Sequence, residues 1–230
     1  MPESGARPHA PSLATCSGHA VGVIGGTFDP IHFGHLRLAE EMTAALGLRR
    51  VLFVPAGQPP HRAAPCAPAA RRLEMVRLAV AGNPHFAVDD REVRRAQPSY
   101  TVDTLAALRD ELGAQQPLWL LLGADAFLGL PGWHQWRRLF ELAHLAVAER
   151  PGASLLEAGA MPAELAQAVR QRATAPAQAP AGAVLIRSTT PLAISASVIR
   201  ATLAARGSVR YLLPDAVLDY IHQHRLYPPQ

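Results

Sequence analysis

Apolar residues recur along this chain in two rhythms, short unbroken runs and longer stretches with an apolar position every three or four residues, which predicts strands interleaved with helices. Ala20 to Ile24 reads as the first strand. Leu36, Ala39, Met42, Ala45 and Leu46 then share one face of a helix closed by Gly47. Val51 to Val54 is a buried strand, Ala69 to Val80 a second helix with Gly82 behind it, and Phe86 to Val88 a third strand. A helix running to Leu112, with Gly113 as its stop, follows Ser99-Tyr100-Thr101. Leu118 to Leu122 is apolar throughout, the mark of a strand buried on both faces of a parallel sheet. Pro131 to Trp136 is expected to open a further helix, with Trp133 and Trp136 three apart on one face. Strand Leu145 to Val147, helix Pro162 to Arg172, strand Val184 to Ile186, a helix from Ser195 to near Arg206 and a terminal helix over 214–224 complete the series. Strict alternation of this kind predicts an α/β fold, a doubly wound parallel sheet in one domain.

Composition narrows the picture. With 230 residues and 49% apolar content, there is material for one α/β domain with a sizeable core. Residues 1–19 are rich in Pro, Ser, Ala and Gly and have no apolar segment, so they read as a disordered leader ahead of a domain over 20–230, neither signal peptide nor membrane span. The Ala/Pro/Gln tract 173–183 reads as a flexible insertion. Two cysteines, Cys16 and Cys66, give no disulfide framework and fit a reducing cytoplasm. The formal charge is +4, but the arginines come as separated pairs (Arg49-Arg50, Arg71-Arg72, Arg94-Arg95, Arg137-Arg138) and form no stripe interleaved with aromatics, so neither a nucleic-acid nor a membrane partner is expected. Monomer and homo-oligomer both remain open.

The chemistry concentrates in GGTFDPIHFGH, Gly25 to His35, where the first strand hands over to the first helix. Gly25, Gly26 and Gly34 let backbone approach a polyanion, and a helix starting near Gly34 turns unpaired N–H groups and a positive dipole end toward it. His32 and His35 share a face of that helix start and can both donate to one anion. Other phosphate loops do not fit. A dinucleotide fingerprint needs Gly-x-Gly-x-x-Gly and a later acidic residue, and a P-loop needs a lysine, which the chain lacks. His-x-x-His is half a zinc site without convincing further ligands, so no residue is assigned to a metal. A second landmark is TTPLAISASVIR, Thr189 to Arg200. There Ser195 is placed to cap a helix, and Arg200 lies near that helix's positive end, an unfavourable position for a cation unless an anion is present too. Asp125, after the buried strand, stands either where ribose hydroxyls would meet it or as a helix cap. The Ser99-Tyr100-Thr101 hydroxyls could be a simple cap. His61 and Arg62 lie on a proline-rich exposed loop at one end of the sheet, and Trp133, beside a Pro-Gly turn, is the better placed of the two tryptophans to offer its ring to a flat ligand. His222 and His224 are expected to be solvated.

GGTFDPIHFGH resembles the signature of the nucleotidyltransferases that carry a His-x-Gly-His motif, with His32-Phe33-Gly34-His35 as the motif itself. ISASVIR resembles their C-terminal ATP-binding motif, with Ser197 where the pattern usually has threonine. PPHR, PSYTVDT, GADAF and PGWHQW resemble further blocks of the bacterial-type nicotinate-nucleotide adenylyltransferases, over about Val21 to Tyr227. The resemblance implies a Rossmann-like fold and transfer of AMP from ATP to nicotinate mononucleotide, giving nicotinate adenine dinucleotide and pyrophosphate. It implies that His32, His35 and Arg200 are catalytic. ATP would be bound by Gly25, Gly26, Thr27, Phe28, His35, Gly123, Asp125, Ile194, Ser195, Ser197 and Arg200, with Mg²⁺ bridging its phosphates. The mononucleotide would meet Thr27, Arg62, Tyr100, Thr101, Trp133 and His134. The competing expectations are a related enzyme acting on nicotinamide mononucleotide, phosphopantetheine, a flavin or a polyol phosphate, and a nucleotide sensor without turnover.

Overall fold

The computed structural model describes residues 20–59, 64–149, 154–157, 159–172, 179–190 and 192–228. Six parallel strands, β1 (Val21–Gly26), β2 (Arg50–Pro55), β3 (Phe86–Val88), β4 (Leu118–Gly123), β5 (His144–Glu149) and β6 (Val184–Ser188), form one sheet in the order β3-β2-β1-β4-β5-β6. This is the doubly wound order of a Rossmann-like sheet. The chain reverses direction of travel between β1 and β4, and the carboxyl ends of those two strands, Gly25-Gly26 and Gly123, flank the crevice where such folds bind ligands.

The two-residue period of the strands assigns each side chain to one of two helical layers. Ile24, Phe53, Trp119 and Leu121 pack on one face with α1 (Phe33–Leu46), α2 (Ala69–Val80), α8 (Ala196–Ala204) and α9 (Asp215–Gln223). Val23, Val54, Leu118, Leu120, Leu122, Leu145 and Val147 pack on the other with α4 (Thr101–Leu112), α5 (Ala124–Leu128), α6 (Leu139–Leu142) and α7 (Ala163–Arg170). The unbroken apolar run of β4 is thereby explained: each of Leu118 to Leu122 is buried, on alternating faces, each contributing about 1.5–3 kcal/mol. Gly47 ends α1 in the left-handed conformation its position predicts, at φ 60°.

The expected helix from Pro131 is absent. Residues 130–132 and 136–138 form single 3₁₀ turns separated by Gln135 in a left-handed conformation at φ 49°. That reversal separates the two tryptophans: Trp136 turns into the core, 6.1 Å from the Phe140 ring, while Trp133 stays at the cavity edge. A short helix not expected from the pattern, α3 (Arg91–Arg94), precedes α4. Residues 179–183 of the Ala/Pro/Gln tract are tied down, with Ala183 N–H donating to His144 Nδ1 (2.9 Å), His144 Nε2 bonding Ala179 O (2.6 Å) and Arg109 donating to Pro180 O. Residues 173–178 and the leader lie outside the described residues. His224 is half-buried against Tyr220 and within 3.3 Å of Arg71 Nη1, while His222 is exposed.

Candidate active site

The site begins at the end of β1. A Cβ on Gly25 would meet nothing within 4 Å, so this stretch of backbone is bare toward the cavity. A Cβ on Gly26 would press within 3.0 Å of the Phe28 ring, and glycine there lets that ring fold beneath the loop. Phe28 is buried and holds a left-handed φ of 49°, a conformation that costs a non-glycine residue of order 1 kcal/mol. Its ring meets His35 edge-on at 5.0 Å.

His32 caps α1, and its backbone N–H donates to His35 Nδ1 at 3.3 Å. With Nδ1 accepting, neutral His35 carries its proton on Nε2, which is therefore its donor. The two rings stack at 3.8 Å, and a Cβ on Gly34 would lie 3.0 Å from the His32 ring, so Gly34 makes room for the stack. His32 Nδ1 is buried without a partner among the described residues. Burial lowers the His32 pKa to about 4. Burial, with repulsion from His32 added, pushes His35 in the same direction, so both rings are neutral at pH 7.

Across from this helix start stands a second one. Ser195 caps α8, its Oγ accepting from Val198 N–H at 3.2 Å, and Ile194 O lies 3.7 Å from where a Gly34 Cβ would be. Neither helix has an acidic residue in its first turn. Arg200 turns back toward both starts, donating to Asp29 O (2.7 Å) and approaching Ser197 Oγ (3.5 Å). Two positive helix ends, two imidazole donors and a guanidinium thus face one region, an arrangement suited to a polyphosphate.

The opposite end is built by α4, α5 and the turns before α6. Tyr100 caps α4 by backbone alone, so the hydroxyls of 99–101 are not side-chain caps. The Tyr100 ring lies 4.5 Å from that of His134, with Trp133 alongside at the cavity. Gly123 caps α5, which places Asp125 inside the first turn and not at the cap. A cavity of about 920 Å³ joins the two ends. Every residue expected to bind or act lines it, from Gly25 and His32 through Asp125 and His134 to Arg200, apart from Arg62, which with His61 lies outside the described residues.

Four residues that support this cavity carry no expectation from the sequence. Arg72, 1% exposed, donates to Ala67 O (3.1 Å), Thr27 O (2.6 Å) and Gly57 O (3.0 Å), fastening three loops to α2. It occupies an apolar-face position, four residues before Val76 and eight before Val80, and a charge in that register was the readable signal. Asp29 and Tyr227 are bonded to each other at 2.7 Å. Glu92 accepts from Thr104 Oγ1 at 2.6 Å, and burial raises its pKa. Its carbonyl lies 2.2 Å from where a Cβ on Gly57 would be, so only glycine lets the turn after β2 rest on α3.

Comparison with known proteins agrees with this architecture. The profile of the cytidylyltransferase-like family matches residues 23–202. A protein of Dechloromonas aromatica named nicotinate-nucleotide adenylyltransferase is 56% identical over 211 residues, covering 90% of this chain and 97% of its own. One of the same name from Pseudomonas aeruginosa is 46% identical over 213 residues, covering 91% and 98%. Among solved structures, the nicotinic acid mononucleotide adenylyltransferase of Plasmodium falciparum, complexed with NaAD, superposes with a TM-score of 0.70 at 16% identity, covering 90% of this chain and 97% of that one. At that identity the likeness concerns the fold. Taken with the profile and the close relatives, it means that the chain belongs to the cytidylyltransferase-like family and, within it, to the nicotinate-nucleotide adenylyltransferases.

Proposed function

We propose that this protein transfers AMP from ATP to nicotinate mononucleotide in the cytoplasm, with the residues of the 920 Å³ cavity in the following roles. The observation that carries the reading is the stacked His32–His35 pair facing the start of α8 and Arg200, with an aromatic end of Tyr100, His134 and Trp133 on the same cavity. The nucleophile is a phosphate monoester oxygen, mostly ionised at neutral pH because its second pKa is about 6, so the reaction asks the protein for no base and no covalent nucleophile. What it asks for is alignment of two polyanions and stabilisation of charge on the α-phosphate and departing pyrophosphate.

His35, donating through Nε2, stabilises the α-phosphate, and His32 assists. Burial holds the His32 pKa down at about 4, and a phosphate bound beside it would favour the imidazolium and push it back up. Gly25, Gly26, Thr27 and Phe28 shape the ATP loop, Gly123 and Asp125 meet the ribose, Ile194 and the Ser195/Ser197 start of α8 meet the remaining phosphates, and Arg200 neutralises them. The pyridine ring lies by Trp133, with Thr101, Tyr100 and the His134 backbone about its carboxylate and Arg62 near its phosphate. Neutral donors favour the acid over the amide, because an ionised acceptor roughly doubles a hydrogen bond's strength.

Among the described residues no three His, Cys, Asp or Glu side chains are grouped to cage a metal, and the Asp29 carboxylate is already taken by Cys66 N–H, Ala67 N–H and the Tyr227 hydroxyl. Mg²⁺, when bound, would be held through the ATP phosphates and would supply charge neutralisation there. No described helix is long and apolar enough to cross a membrane.

The test is pyrophosphate release with ATP and Mg²⁺, offering nicotinate mononucleotide and nicotinamide mononucleotide in parallel. Release with the acid alone is expected. His35→Ala should lower it about a hundred- to a thousandfold without loss of fold. Silence with both acceptors, or full turnover in the variant, defeats the proposal.

A further inference from the structure

Beneath the phosphate end of the cavity lies a buried polar knot to which the reaction as described assigns no task. Asp29 is 5% exposed, and its carboxylate is surrounded by donors. Oδ1 accepts from the Tyr227 hydroxyl at 2.7 Å and from Ala67 N–H at 3.1 Å, and Oδ2 accepts from Cys66 N–H at 2.7 Å. Arg200 Nη1 lies 3.9 Å from Oδ2 while donating to the Asp29 carbonyl at 2.7 Å. Four stretches of chain meet here: the loop after β1, the loop before α2, α8, and the tail that follows α9.

The tail is the unexpected member. Tyr227 stands 198 residues from Asp29 in sequence, its ring is buried, and its backbone holds a left-handed φ of 58°. Such a conformation is strained for a non-glycine residue and persists only where surrounding contacts over-determine it. One of those contacts is remote: α9, which leads into the tail, is clipped to α2 by Arg71 Nη1 donating to the Tyr220 hydroxyl at 3.0 Å. The strained segment delivers one hydroxyl to one carboxylate. Burial and the neighbouring Asp29 raise the Tyr227 pKa, so the phenol stays protonated and remains a donor.

Asp29 is in turn matched to a problem that Arg200 has. Arg200 sits in the middle of α8, but its guanidinium reaches back to Ser197 Oγ and the Asp29 carbonyl near the amino end of the helix, where the dipole disfavours a cation. The carboxylate 3.9 Å away offsets that repulsion, and the Asp29 carbonyl fixes the direction of Nη1. With its oxygens engaged by three donors, Asp29 is not available as a base. Arg200, its side chain 27% exposed, reaches the cavity, which Asp29 and Cys66 also line.

The geometry points to Asp29 and Tyr227 as positioning residues for Arg200: the tail hydroxyl orients the carboxylate, and Asp29 aims the guanidinium at the polyphosphate of ATP. This rests on the AMP-transfer reading above. The alternative is that Tyr227 merely anchors the tail.

A double-mutant cycle separates the two. Tyr227→Phe, Arg200→Ala and the double variant are compared by kcat/KM for ATP and by calorimetric affinity for a non-hydrolysable ATP analogue, which keeps the cycle measurable if Arg200→Ala abolishes turnover. Tyr227→Phe alone should raise the ATP KM and weaken the analogue about tenfold, leave the mononucleotide KM within about twofold, and lower Tm by about 3 °C. In the Arg200→Ala background the same change should alter analogue affinity less than about twofold, since a residue that acts through another has nothing left to act on. Asp29→Asn, which keeps the shape but loses the charge, should show the same dependence on Arg200. An undiminished Tyr227→Phe effect in the Arg200→Ala background, or a fall in Tm with ATP binding unchanged, overturns the assignment. Turnover of the unmutated protein with nicotinate mononucleotide is read alongside: its absence defeats AMP transfer, while the analogue cycle still decides the positioning role.

Discussion

Acid should unfold this protein through its histidines, and the size of the effect can be worked from the His32–His35 stack. The His32 pKa falls from an ordinary 6.5 to about 4 because burial disfavours the imidazolium. The unfolded chain therefore binds a proton at pH values where the folded one does not. Stability from this residue is complete above pH 6.5 and is lost as the pH falls from 6.5 toward 4, in all about 3 kcal/mol. His35 and His144 shift in the same direction, mainly by burial, so each adds to the slope wherever only the unfolded chain is protonated. His144 has a further reason to stay neutral, since its Nδ1 accepts from Ala183 N–H and protonation would set two donors against each other. Domains are typically stable by about 5–15 kcal/mol, so a loss of this size from one residue is a large share of the total and stability should fall steadily below pH 6.5. The assay is urea unfolding followed by tryptophan fluorescence at pH 7.5, 6.5, 5.5 and 5.0. His32→Gln, which removes the titrating group, should flatten the slope below pH 6.5. A stability that stays level from pH 7 to 5, or a slope unchanged in His32→Gln, would refute the account.

Two further perturbations follow from the packing. Arg72→Leu strips donors from the carbonyls of Thr27, Gly57 and Ala67 and removes a buried cation near Asp29, and should cost about 3–5 kcal/mol in urea unfolding; a loss below about 1 kcal/mol contradicts its role in fastening the loops. Gly25→Val should fold normally, because nothing lies near the new side chain, but should raise the ATP KM about tenfold or more by filling the space over the loop. Gly22→Ala, whose Cβ would meet Leu48 at 2.8 Å, should instead lose about 1–3 kcal/mol of stability and leave KM alone, and a reversal of the two patterns would contradict this division.

What could be read in advance was local. The β4 run announces a strand buried on both faces, and Gly47 announces the end of α1, since burial and positive φ act on residue types at their own positions. GGTFDPIHFGH is legible because a strand-to-helix phosphate loop assembles its groups from one short stretch. Asp29, Tyr227 and Arg72 escape such reading: the carboxylate finds its hydroxyl 198 residues on, and the guanidinium finds carbonyls 5, 15 and 45 positions away. Only folding brings them together. The helix expected from Pro131 is missing for a local reason, since Gln135 takes a left-handed conformation that three-residue periodicity does not foresee, while Trp133 still lines the cavity and Trp136 the core.

The binding of residues 179–183 to Arg109 and His144 has a practical consequence. These contacts sit at the amino ends of β4 and β5, and the cavity opens at the carboxyl ends, some 20 Å away along a six-residue strand. The chain enters the intervening segment from Arg172, whose guanidinium lies over the Phe140 ring, and returns at Ala179, so both flanks are anchored far from the chemistry. A fluorescent reporter or affinity tag joined to these two flanks would be held at the amino ends of the strands, so that the protein can be immobilised or imaged with the mouth of its cavity facing outward.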